Sequence, residues 1–158
     1  MEVSTLRSES EEQTIELGEA FASSLVVGDV VAIFGDLGAG KTEFVKGICS
    51  YFAVDDIVTS PTFTIINQYV GLTPDGDPLK IYHVDLYRID SPSELDDVGF
   101  DECVFSHDAI KLVEWPEKAA QLLPAGAWSV TIVGDAINDN VRTIIIDRQK
   151  SPIGIEKI

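Results

Sequence analysis

The clearest chemical signal in the chain is the run Gly35-Asp36-Leu37-Gly38-Ala39-Gly40-Lys41-Thr42. A glycine, four free positions and then Gly-Lys-Thr is the spacing of a loop that cradles phosphates, provided a strand precedes it and a helix follows. Glycines let the backbone turn so that successive N–H groups point into one anion nest. A helix opening at Lys41 adds its positive N-terminal end. Lys41 then places a point charge on the β- and γ-phosphates, and the Thr42 hydroxyl is a hard oxygen ligand of the kind Mg²⁺ takes. Asp36, Leu37, Gly38, Ala39, Gly40, Lys41 and Thr42 are therefore the expected phosphate-binding set, with the Asp36 carboxylate turned away from the anion.

Cleaving a nucleoside triphosphate also requires a carboxylate at the tip of a neighbouring strand, to hold Mg²⁺ or its waters. Asp85, after Ile81-Tyr82-His83-Val84, and Glu114, after Ile110-Lys111-Leu112-Val113, are the candidates. Ligands of open α/β sheets sit beyond the carboxyl ends of parallel strands. The Asp85 strand reads as half of an antiparallel hairpin, whereas the Glu114 strand runs straight into a helix at Pro116. Glu114 is thus expected on the metal with Thr42, and Asp85 is expected to orient water; Lys41, Asp85 and Glu114 form the catalytic set. His83 and His107, the only histidines, lack partners at transition-metal spacing. His83 reads as a packed strand residue, and Trp115 as a core or helix-start aromatic.

Several elements must position these groups. Ser10-Glu11-Glu12-Gln13 fits a capping box, and Leu17, Phe21 and Leu25 follow at helical spacing. Val30 to Phe34 is a continuous apolar run, as in a strand buried on both faces. The helix from Lys41 carries Phe44, Val45, Ile48, Cys49 and Phe52 towards a sheet. Phe63 to Val70 and Lys80 to Leu86 read as antiparallel strands around a turn-rich loop. Ser91-Pro92-Ser93-Glu94 opens a short helix that stops near Gly99, and a second short helix covers Asp101 to Ser106. A strand at 110–114, weakened by Lys111, a helical stretch from Pro116, and a strand pair at 128–133 and 141–147 complete the pattern. The expected fold is α/β: a three-layer P-loop NTPase-like domain with a mixed, mostly parallel sheet flanked by helices, spanning residues 1–158 with a loose tail over 148–158.

At 158 residues, 45% hydrophobic and 24% charged, the composition is that of one soluble globular domain. Neither a long apolar run nor a secretory leader is present, so a cytoplasmic location is expected. Cys49 and Cys103 lie far apart and read as reduced thiols. Twenty-seven acidic residues against 11 basic ones give a net charge of −16. Binding to nucleic acid phosphates requires clustered Lys and Arg, so direct high-affinity binding to RNA or DNA is not expected. Small-molecule kinases close an arginine-bearing lid, and here Arg7, Arg88, Arg142 and Arg148 are scattered. The guanine-reading Asn-Lys-x-Asp motif is absent, which favours ATP. A nucleotide-dependent regulatory switch without useful hydrolysis is the third alternative.

Four segments, taken in order, resemble one family: the phosphate loop, Ser60-Pro61-Thr62-Phe63, His83-Val84-Asp85-Leu86-Tyr87-Arg88, and Val113-Glu114-Trp115-Pro116. They are similar to TsaE, also called YjeE, the bacterial ATPase of tRNA threonylcarbamoyladenosine synthesis, from about Ser10 to about Val133. The resemblance implies ATP with Mg²⁺, ADP as product, and a complex with TsaB and TsaD. It implies Lys41 and Thr42 as phosphate and metal residues, Glu114 as the metal acid and Asp85 as the acid of the second motif. It further implies a switch-like loop at Ser60 and Thr62, and an adenine end near Glu11 and Thr14. Glu43 stands where the family pattern takes a threonine or another small residue.

Overall fold

The computed structural model describes residues 3–61 and 64–148. Its centre is a seven-stranded sheet in the order β1-β7-β6-β2-β5-β4-β3. The strands are β1 Ser4–Ser8, β2 Val30–Phe34, β3 Ile66–Leu72, β4 Pro78–Asp85, β5 Ala109–Glu114, β6 Trp128–Gly134 and β7 Arg142–Arg148. β2 pairs in parallel with both β5 and β6, and β4 pairs in parallel with β5. β3 and β7 run against their neighbours, so the sheet is mixed and mostly parallel, as expected.

Side-chain alternation gives the sheet two buried faces. Val31 and Ile33 of β2 join Ile110 and Leu112 of β5 in a core beneath α1 (Glu11–Ala22) and α2 (Lys41–Tyr51). Val30 and Ala32 face the opposite core, with Leu95 of α3 (Pro92–Asp97) and Phe100, Cys103 and Val104 of α4 (Phe100–Val104). A 3-10 helix, Pro116–Leu122, closes that layer. The expected three-layer arrangement is the observed one. Both cysteines are free and buried, and burial pushes their thiols up to about 12 for Cys49 and about 11 for Cys103.

Lys111, which weakened the expectation for β5, is 1% exposed on the face of α4. Its ammonium donates to the carbonyls of Gly28 and Ser106, which ties the turn before β2 to the segment after α4. A buried amine is tolerated because these oxygens replace water. Most element ends shift by one or two residues, and three departures from expectation are larger or unexpected in kind. β1, with no clear alternation, is held by antiparallel pairing to β7. β3 begins at Ile66; Phe63 lies outside the described residues. Arg148, expected in the loose tail, is the last residue of β7. Its guanidinium lies 4.8 Å from the Trp128 ring and donates to Asp29 Oδ1 at 3.3 Å and to the Gly126 carbonyl at 3.1 Å. Residues 149–158 lie outside the described residues.

α1 and α2 cross backbone against backbone. A Cβ on Gly47 would stand 2.0 Å from the Ile15 carbonyl oxygen, and one on Gly18 would stand 2.3 Å from that of Phe44. Gly47→Ala therefore forces the helices apart and should cost about 3 kcal/mol, at the upper end of overpacking penalties. Gly134→Ala, where a Cβ meets nothing within 4 Å, should change stability by less than about 0.5 kcal/mol. Urea unfolding of the two variants beside the parent measures both.

Candidate functional site

The phosphate loop leaves the end of β2 and enters α2. Gly40 caps the helix at φ 106°, a left-handed conformation that suits glycine, and no side chain caps that end. The first-turn amides of α2 are thereby left to an anion. Asp36, Leu37 and Gly38 are exposed, whereas Ala39, Gly40 and Lys41 are buried.

Lys41 is only 5% exposed. Its ammonium donates to the Gly35 carbonyl at 2.5 Å and lies 3.7 Å from the centre of the Trp115 ring. Burial lowers its pKa, and the carboxylates of Glu114 and then Asp85 pull it back up. The ring reaches that position because Trp115 leaves β5 at φ 57°, ψ 47°, a left-handed turn that costs a non-glycine residue about 1–2 kcal/mol. Tyr87 packs beside Trp115 with ring centres 4.9 Å apart.

Asp85 and Glu114 are direct neighbours in the parallel register of β4 and β5. β4 is antiparallel to β3 but parallel to β5, so both acids sit at carboxyl ends of parallel strands. Strand direction, the basis for ranking them from sequence, does not separate them. Their hydrogen bonds do. Asp85 Oδ2 accepts from the Ser60 hydroxyl at 2.7 Å, and Oδ1 accepts from the Tyr87 amide at 2.9 Å. Glu114 has one oxygen, Oε2, 2.6 Å from His83 Nε2. Among the described residues its other oxygen takes no hydrogen bond, whereas each Asp85 oxygen takes one.

Lys41, Thr42, Ser60, Asp85, Glu114 and Trp115 wall a cavity of ≈ 340 Å³. The hydroxyl and the two carboxylates are hard oxygen donors, few in number, which suits Mg²⁺, an ion that keeps several waters. No cluster of three or more His, Cys, Asp or Glu side chains able to hold a metal occurs among the described residues. A second cavity of ≈ 500 Å³ lies on the other flank of the loop, lined by Gly35 to Ala39 and by Asp135, Asp139 and Arg142 from the β6–β7 hairpin.

The expected residues are not all at the site. Glu11 borders a narrow crevice with Gly40 and Arg142, while Thr14 is 2% exposed and hydrogen-bonds the Ser8 hydroxyl at 2.7 Å. Thr14 thus supports Gly40 from beneath and presents no polar group to a ligand. Thr62 lies outside the described residues. Two residues were not singled out for the roles they take. His83 is bonded to Glu114, and its position two residues before Asp85, on the same strand face, was the available signal. Arg142 donates to the Gly38 carbonyl at 3.3 Å and grips the loop from β7, more than 100 positions away in the chain, with no local signal at all. The resting contact between Lys41 and Trp115 is open to a direct test. In a Trp128→Phe background, Lys41→Ala should change Trp115 emission while the protein stays folded by circular dichroism; Lys46→Ala, on the exposed side of α2, should not.

Residues 8–144 match the family described as Threonylcarbamoyl adenosine biosynthesis protein TsaE. The chain is 40% identical over 126 residues to the tRNA threonylcarbamoyladenosine biosynthesis protein TsaE of Bacillus subtilis, covering 80% of this chain and 75% of that one. It is 36% identical over 139 residues to the protein of the same name from Treponema pallidum, covering 88% and 96%. The crystal structure of Bacillus subtilis YdiB superposes with a TM-score of 0.70 at 30% identity, over 98% of this chain and 88% of that one. No helix among the described residues is long and apolar enough to cross a membrane. With a matching family region over most of its length and relatives of this identity, the chain belongs to the TsaE family of tRNA threonylcarbamoyladenosine biosynthesis proteins.

Proposed function

We propose that this chain binds ATP with Mg²⁺ and hydrolyses it in support of turnover of the TsaB–TsaD complex. One observation carries the reading: Lys41, Thr42, Asp85 and Glu114, from three separate stretches of chain, converge on one cavity at the carboxyl ends of β2, β5 and β4. Bound Mg²⁺ would supply positive charge beside the phosphates. Lys41 leaves the Trp115 face for the phosphate oxygens, and the nest of loop amides replaces the water around the anion. Thr42 and Glu114, which both line this cavity, would hold the metal. Asp85, fixed by Ser60 and by the Tyr87 amide, orients the attacking water.

Among the described residues no arginine lines the cavity of Lys41 and Glu114. Arg142 grips the outside of the loop through Gly38. Additional positive charge on the γ-phosphate, worth about 10³–10⁵ in rate, must come from elsewhere, or the attacking water must be ordered by a partner. A surface of net charge −16 suits a protein partner better than the phosphates of tRNA.

Steady-state phosphate release tests the reading. Turnover should be slow for the chain alone, rise by at least ~10²-fold with TsaB–TsaD as missing charge is supplied, and stay slow with tRNA only. Lys41→Ala should lower the stimulated rate by ~10²–10³-fold, as expected for loss of a charge aimed at the transition state. Rapid turnover alone, or stimulation by tRNA without protein, would count against the proposal; binding of ATP with no hydrolysis under any condition would favour a regulatory switch.

A further inference from the structure

His83 occupies a position that packing alone would give to an aliphatic side chain. Leu79, Ile81, His83 and Asp85 share one face of β4, beside Ile110, Leu112 and Glu114 of β5. Ile81, Ile110 and Leu112 are fully buried, and so is His83, at 0% exposure. Burying an imidazole in such a layer is unfavourable unless its nitrogens are bonded. Here only one is. Nε2 lies 2.6 Å from Glu114 Oε2, while Nδ1 is buried with no partner among the described residues. The hydrogen bond this ring makes among the described residues is to Glu114.

The bonding pattern also locates the proton. A hydrogen on Nδ1 would be a buried donor with no acceptor, whereas a bare Nδ1 leaves only an unfilled lone pair. A hydrogen on Nε2 suits the contact, since a carboxylate oxygen accepts, and leaves no buried donor on Nδ1. The ring cannot swing freely, because Tyr69 packs against it with centres 6.3 Å apart and the β4 backbone is paired on both sides.

Building on the nucleotide reading above, we propose that His83 is a positioning residue for Glu114: its Nε2–H fixes one carboxylate oxygen so that the other is presented to the metal beside Thr42. Outer partners of this kind orient the ligand, and their removal characteristically costs 10–100-fold in metal affinity.

Two substitutions differ in reach and hardly in chemistry. The amide nitrogen of glutamine falls where Nε2 stands, and that of asparagine stops near Nδ1. Calorimetric ADP affinities with Mg²⁺ and with EDTA define a magnesium gain for each protein. His83→Gln should keep the parent gain within about threefold, and His83→Asn should lose about tenfold of it, with affinities in EDTA unchanged in both. A parent gain that survives in His83→Asn, or that is lost alike in both variants, overturns this proposal and leaves the nucleotide reading standing. A parent protein that binds ADP with no magnesium gain overturns this proposal and the metal part of the nucleotide reading; one that binds no ADP overturns the nucleotide reading itself. If His83→Asn does not fold, the parent decides. ¹⁵N-imidazole spectra contain only His83 and His107; His83 should appear as the Nε2–H tautomer and its Nε2 signal should move in Glu114→Gln. An Nδ1–H tautomer, or a signal indifferent to Glu114→Gln, overturns the proposal.

Discussion

The ammonium of Lys41 is a full charge that the fold has largely withdrawn from water. A buried cation is tolerated only where other groups replace its hydration, and much of the surrounding architecture answers that requirement. A carbonyl at the end of β2, an aromatic face at the end of β5 and carboxylates from two adjacent strands compensate it. Each compensating group depends on a backbone feature: the open turn at Gly35, the left-handed Trp115, and the register that sets Asp85 beside Glu114. The same arrangement makes the site ready for an anion, since phosphate oxygens offer the lysine a better partner than a ring and one carbonyl do.

The sheet explains how two acids so far apart in sequence come to lie together. β4 is shared between a hairpin with β3 and a parallel pairing with β5. The hairpin brings the strand back, and the parallel edge aligns its end with that of β5. Leu86 continues the ladder by donating its amide to the Glu114 carbonyl at 3.1 Å, so the strand ends are held together up to the point where the acids project.

Much of this was legible in the sequence because it is written in local spacing. The phosphate loop, β2, both long helices and the β6–β7 pair follow from short-range patterns, and Ser91-Pro92-Ser93-Glu94 makes the capping box its residues announce. What escaped depends on contacts across the fold. β4 shows its antiparallel partner in the short loop before it, but nothing local shows its parallel one. Arg142 meets Gly38 only after the hairpin has folded over the loop. Lys111 reads as a flaw in a strand until the carbonyls of Gly28 and Ser106 are seen to surround it. His83 looks like packing until its bond to Glu114 is seen, and Arg148 looks like tail until Asp29 and Trp128 are placed beside it.

The crossing of α1 and α2 has a mechanical consequence. Where side chains interpose between helices, rotamer changes let one slide past the other. At Gly18 and Gly47 no side chain interposes; carbonyl and Cα meet directly, and Ser50 pins the far end to Glu19 at 2.9 Å. The two helices are therefore geared as one lever. One end of that lever is the phosphate loop, because α2 begins at Lys41 and Thr14 of α1 packs beneath Gly40. A displacement of the outer face of α1 would therefore be carried to the phosphate loop without being absorbed between the helices.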